Sequence, residues 1–169
     1  MKLITETEKL IIREFILEDA ENLRRLHEDK EVTKYIDSKG YIDIETTTKT
    51  LQEKILENAY KKYGYGRWAV HLKANGLFIG WCGLEFLESE NEADLGFRFQ
   101  KRFWNKGFAT EAAKACIDFG FNELKLTKII ARVIPENTAS IQVLKKLKFK
   151  EYKQGTCEEH AALFYELKK

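Results

Sequence analysis

Hydrophobic positions along the chain change period several times, and each change marks an element. Lys9 to Phe15 is rich in branched residues and reads as a short strand. Glu18 to His27 reads as a helix, with Leu17, Ala20, Leu23 and Leu26 at helical spacing. A second helix is predicted from about 44 to 62, with Asp43 as its N-cap and Leu51, Ile55 and Ala59 spaced by four. From Arg67 the period falls to two. Arg67 to Leu72, a turn at Ala74-Asn75-Gly76, Leu77 to Phe86 and Ala93 to Gln100 predict an antiparallel meander. In its third strand Ala93, Leu95, Phe97 and Phe99 share a core face, and Asp94, Gly96, Arg98 and Gln100 share a polar one.

Beyond a loop at 101–106, Gly107 to about Leu124 has a helical face of Ala112, Ala113, Cys116, Ile117, Gly120 and Phe121. Lys128 to Ile134 is a predicted strand that Pro135 ends, and Thr138 to Leu147 a helix that Asn137 caps. Phe149 to Tyr152 and Ala162 to Leu167 close the series as strands. The order βααβββ then αβαββ predicts an α+β fold: a mixed, mostly antiparallel sheet of six to seven strands flanked by about four helices. Only 10 Gly and 1 Pro occur, and nothing linker-like divides the chain, so 1–169 reads as a single domain.

Composition narrows the class. With 169 residues, 44% hydrophobic and 33% charged, one core suffices without a disulfide or metal staple. No stretch approaches a membrane span, and Met1 to Leu10 carries acids where a signal peptide is apolar, so a cytoplasmic protein with no membrane partner is expected. Cys82, Cys116 and Cys157 are odd in number and far apart, which predicts buried thiols and no metal site. The net charge of +2 divides into about −4 over residues 1–60 and +6 over 61–169, too mild a bias for a nucleic-acid partner.

The segment Trp104-Asn105-Lys106-Gly107-Phe108-Ala109-Thr110-Glu111-Ala112 carries the candidate chemistry. A strand passes through a short loop into a helix, presenting unpaired N–H groups at the positive end of the helix dipole. That is an anion site built from backbone, with Lys101, Arg102 and Lys106 around it. A tight strand-to-helix turn at Gly107 is the plainer reading of the same residues.

The wider sequence resembles the Gcn5-related N-acetyltransferase (GNAT) family, and within it the ribosomal-protein N-acetyltransferase (RimJ/RimL-like) branch. Gly107-x-Ala109 matches the second half of the family's pyrophosphate loop. Trp104 stands at the branch's Trp, and Asn105 replaces the first glycine, a change that Asn tolerates in left-handed conformations. Leu10 to Phe15 with Glu18-Asp19-Ala20, Phe78 to Leu84, Asp94 to Phe99, Pro135 to Ser140 and Val143 to Phe149 resemble the branch's other segments in order. The resemblance implies transfer of acetyl from acetyl-CoA to a primary amine in a ternary complex.

By the same resemblance the backbone of Phe97, Arg98 and Phe99 pairs with the pantetheine arm. Trp104, Asn105, Lys106, Gly107, Phe108, Ala109 and Thr110 hold the pyrophosphate, and Asn137 reaches the cofactor or serves only as a cap. The amine must lose a proton to attack, and the thiolate must gain one. Asp94 is the first candidate base, Glu85 the second and His71 a third. Many family members place a Tyr seven residues after the Asn; here that position is Leu144, and Ser140 or water takes the acid's role. Lys148 likewise stands where a glycine is usual.

The leading acceptor is a protein or peptide N-terminal α-amine. A small cationic amine, such as a polyamine or amino sugar, would suit Glu28, Asp29, Glu31, Asp37, Asp43 and Glu45 in the region expected to roof the acceptor. A CoA-binding module without turnover is the third reading. Homodimers are common in the family, although no apolar seam here specifies one.

Overall fold

The period-two segments pair into one sheet of order β1-β2-β3-β4-β5-β6-β8-β7, in a computed structural model that describes residues 2–36, 41, 43–157 and 160–169. The strands are β1 (Leu3–Glu6), β2 (Leu10–Arg13), β3 (Arg67–Leu72), β4 (Phe78–Leu87), β5 (Glu92–Phe99), β6 (Lys128–Val133), β7 (Lys150–Cys157) and β8 (His160–Lys168). Every neighbouring pair is antiparallel except β5–β6.

Two edge elements correct the sequence expectation. β1 makes eight strands of the expected six to seven; it is four residues long, with Leu3 53% exposed, and is held by pairing with β2, so no buried alternation announces it. β7 runs on past Tyr152 to Cys157 with nearly all its residues exposed, its register set by β8. Edge strands are defined by a neighbour's hydrogen bonds more than by their own hydrophobic pattern.

Helices cover both faces. A 3₁₀ turn (Leu17–Asp19) leads into α1 (Ala20–Glu28); α2 (Ile44–Thr50) continues as a π-helical segment (Leu51–Tyr63); α3 spans Phe108–Asn122 and α4 Thr138–Lys146. Both expected caps form: Asp43 accepts from the Thr46 N–H at 2.7 Å, and Asn137 from the Ser140 N–H at 3.2 Å. In the π-helical segment Leu51, Ile55 and Ala59 all lie on the buried side.

On one face of the sheet Trp68, Val70, Leu84 and Leu95 meet Ala112, Ala113, Cys116 and Ile117 of α3 and Ile141 and Leu144 of α4. On the other, Ala69, Phe78 and Trp81 meet Leu23 and Leu26 of α1 and Leu51 and Ile55. Each fully buried Leu or Ile contributes about 1.5–3 kcal/mol. A bidentate pair fixes α1 to the sheet: Arg13 donates to both Asp19 oxygens at 2.6 and 2.8 Å, both residues buried. Cys82 and Cys116 are buried free thiols, whereas Cys157 is half-buried and accepts from Arg132 Nη1 at 3.2 Å.

Candidate active site

The one parallel pair opens into a fork. β5 and β6 are in register only at Ala93↔Ile129 and Asp94↔Ile130, yet β5 runs on to Phe99 and β6 to Val133. Gln100 N–H donates to Ile79 O on the β4 side, so by strand alternation the polar backbone groups of Phe97 and Phe99 turn into the fork and those of Arg98 turn toward β4. Of the three residues named for this strand edge, Phe97 and Phe99 turn their backbone groups into the fork, whereas those of Arg98 are taken up on the β4 side. The Phe99 carbonyl already accepts from the Trp104 indole at 2.7 Å, which pins the loop's first residue to the end of β5. The Phe99 side chain is buried in the core, as expected, and that of Phe97 packs against it.

Because β5 and β6 are parallel, the segments leaving both strands meet at the open end of the fork: the Gly107 loop from one, Asn137 from the other. Asn105 (φ 59°) and Gly107 (φ 84°) are both left-handed. A Cβ on Gly107 would meet nothing within 4 Å, so its conformation, and not crowding, demands glycine. The first bond of α3 runs from the Glu111 N–H to Gly107 O at 3.0 Å, which leaves the N–H groups of Gly107 to Thr110 without an intrahelical acceptor. Lys106 is exposed beside them, its ammonium 5.7 Å from the Phe103 ring, while Phe108 packs edge-on against that ring. Glu111 anchors the start of α3 from below, its carboxylate accepting from Thr7 Oγ1 at 2.5 Å and from the Lys9 N–H at 3.1 Å.

Asp94 sits at the branch point. It is 5% exposed, and Arg132 Nε approaches it to 3.5 Å from the other arm of the fork. Burial pushes its pKa up to about 6, more than the nearby Arg132 and Arg67 can pull it down. Glu85 is directly opposite in register on β4 but binds Arg67 at 2.6 Å and is more exposed. His71 is at the far end of β3, where its Nδ1 meets Gly76 O at 3.0 Å. Phe78, its register partner, lies seven residues from Glu85 along β4, roughly 23 Å away. His71 and Asp94 therefore do not share a site.

Leu144 is core, 2% exposed, so no side chain there reaches the fork. Ser140 is half-buried in the first turn of α4, its N–H used by the cap. The acids named for a cationic acceptor are mostly engaged locally: Asp43 caps α2, Asp29 accepts from the Glu31 N–H, Glu28 pairs with Arg24, and Glu31 lies 4.0 Å from Lys101. Glu45 is exposed, and Asp37 lies outside the described residues.

Sequence reading put Arg98 on the Asp94 face but missed Arg67, Trp81 and Arg132, which neighbouring strands bring to it. Arg67 and Arg98 both pack on Trp81, their guanidinium carbons 4.6 and 5.0 Å from the ring centroid. Gly96 makes this stack fit, since a Cβ there would come within 3.2 Å of the indole. Arg98 also donates to His27 Nε2, and the His27 ring stacks on Tyr41 at 3.8 Å. Strand parity was the available signal: Arg67, Trp81 and Arg132 alternate with core residues as Asp94 does.

Comparison with known proteins agrees with this geometry. Residues 9–150 match the family model described as an acetyltransferase (GNAT) domain. The uncharacterized N-acetyltransferase p20 of Bacillus licheniformis is 35% identical over 155 residues, covering 91% of this chain and 85% of its own. Among solved structures, RimL, a ribosomal L7/L12 α-N-protein acetyltransferase in complex with coenzyme A, superposes with a TM-score of 0.84 at 15% identity, covering 99% of this chain and 98% of its own. A variant of spermidine N-acetyltransferase SpeG from Vibrio cholerae has a TM-score of 0.76 at 20% identity, covering 96% and 95%. Both show the fold alone; the family match, the relative and the fork together establish that this chain belongs to the GNAT family and is an N-acetyltransferase.

Proposed function

We propose that residues 1–169 form one N-acetyltransferase domain of the ribosomal-protein acetyltransferase branch, transferring acetyl from acetyl-CoA to the α-amine of a protein or peptide N-terminus. One observation carries the assignment of chemistry: a buried carboxyl, Asp94, held near pH 6 at the point where β5 and β6 part. Such a group is ionised at neutral pH yet basic enough to relieve an ammonium of its proton, directly or through a water.

The residues present fit acetyl-CoA. The Phe97 and Phe99 backbone offers a strand edge to the pantetheine amides, and the N–H groups of Gly107 to Thr110 offer a nest for the pyrophosphate. The thioester supplied there carries the acetyl carbon that the amine attacks. As the C–N bond forms, Asp94 takes the amine's proton and a fork-facing N–H stabilises the oxyanion. The C–S bond then breaks, and the thiolate takes a proton from Ser140 or water.

The α-amine reading is favoured over a polyamine because four of the six acids suited to a cation, Glu28, Asp29, Glu31 and Asp43, are engaged in caps and ion pairs. Thiol release with a panel of amines tests the proposal: CoA should appear only when an amine is present, and faster with peptide N-termini than with spermidine or glucosamine. Tight CoA binding with no release for any amine would make the protein a binding module instead.

A further inference from the structure

We infer that Arg98 selects acidic acceptors, binding a carboxylate on the second or third residue of a peptide whose N-terminal amine reacts beside Asp94. The inference rests on the α-amine reading above and names the substrate class of that same site.

The starting observation is an imbalance. The Asp94 face of β3 to β6 carries Arg67, Glu85, Asp94, Arg98 and Arg132. Arg67 pairs with Glu85 at 2.6 Å, and Arg132 with Asp94 at 3.5 Å. Arg98 has no carboxylate partner among the described residues. Its polar contact is His27, whose Nδ1 meets Leu23 O at 2.8 Å; a proton on that nitrogen leaves Nε2 as the acceptor that Arg98 needs. Burial and the Arg98 charge hold His27 neutral, with its pKa down to about 3. The imidazole therefore orients the guanidinium without cancelling its charge.

Burial and the neighbouring Arg67 both work against a cation at this position. Arginine nevertheless stays charged in proteins, and among the described residues an anion is the missing complement. The Arg98 guanidinium lies on the indole of Trp81, and the residue is only partly buried. A planar guanidinium presented in this way matches a carboxylate bidentately.

Spacing selects the kind of carboxylate. Asp94 and Arg98 lie on one face of β5 four residues apart, roughly 13 Å along the strand. The amine and carboxylate of a free amino acid share one Cα and cannot bridge that distance. An extended peptide advances about 3.5 Å per residue, so with the side chains reaching inward an Asp or Glu at the second or third residue does. The next residue on this face, Gln100, borders a cleft of about 1010 Å³ whose rim carries Arg25, Lys101 and Arg102 against Asp29. The path beyond Arg98 is basic as well.

The test compares Ser-Asp-Ala-amide, Ser-Lys-Ala-amide and free serine as acceptors for the wild type and Arg98→Gln. Wild-type kcat/KM should favour the Asp peptide over the Lys peptide by about tenfold or more, and Arg98→Gln should bring them within about twofold. Binding of the two N-acetylated peptides to the CoA-loaded protein, read by tryptophan fluorescence, should show the same preference and the same loss. That arm needs no turnover, so it decides the inference even if no acceptor releases CoA and the functional proposal fails. Equal binding of both peptides by the wild type, or a preference that survives in folded Arg98→Gln, overturns it. Free serine outpacing the Asp peptide overturns the spacing argument.

Discussion

Asp94 and Arg132 face each other across the β5–β6 fork at 3.5 Å, and the carboxyl still keeps its proton up to about pH 6. The desolvation of a nearly inaccessible group outweighs one misaligned ion pair. Burial of this kind gives a strand carboxylate the basicity that the proposed role at neutral pH requires.

The acidic limb of kcat/KM should therefore rise with pH and level off with an apparent pKa near 6. Asp94→Asn should lose about 10²–10⁴-fold in turnover. Its residual rate should lack that limb while CoA affinity is retained. A wild-type profile flat between pH 5 and 7, or an Asn variant that keeps the limb, would assign the base elsewhere.

Stability should move the other way. A carboxyl whose folded pKa lies near 6, above its unfolded value of 3.8, stabilises the fold below pH 3.8 and loses that contribution as pH rises through 6. Asp94→Asn, neutral throughout, should melt higher than the wild type at pH 8, with the advantage shrinking below pH 5. A thermal-melt series across this range checks the crossover.

Glu111 ties the phosphate-loop helix to the β1–β2 turn through Thr7 and the Lys9 backbone. Glu111→Ala should cost about 1.5–3 kcal/mol, the range for bonds to a charged group. It should also raise the Kd for CoA, because the start of α3 loses its support. An unchanged Kd with a lowered Tm would confine the residue's role to stability.

Lys148 occupies a left-handed conformation, φ 68°, as its N–H and that of Phe149 close the end of α4 on Lys145 O and Leu144 O, both at 3.0 Å. A side chain in that conformation costs about 1–2 kcal/mol, which glycine avoids. Lys148→Gly should raise the Tm by roughly 2–4 °C per kcal/mol recovered. No gain, or a loss, would mean that the lysine side chain makes compensating contacts.

The periodic pattern was enough for the central elements because their faces are buried. β3 to β6, α3 and α4 each carry a hydrophobic repeat that only one orientation satisfies, so their bounds fell within a residue or two of those read from the chain. The junction at Gly107 was equally readable, since a left-handed glycine and the free N–H groups after it are local properties of a strand-loop-helix turn. β1 and the outer half of β7 carried no such mark, being held by their neighbours at the edges of the sheet.

The sequence by itself determined the family, the strand-loop-helix junction at Gly107 and Asp94 as a polar residue of β5. Only the tertiary structure decided that Asp94 is buried at a fork, that His71 is far from it, and that Arg67, Trp81, Arg98 and His27 gather beside it. Those relations depend on register between strands distant in the chain and on a helix laid over them. A carboxylate's basicity and an arginine's unmatched charge arise from that assembly, because each is set by how much water and which partner the fold leaves at the group.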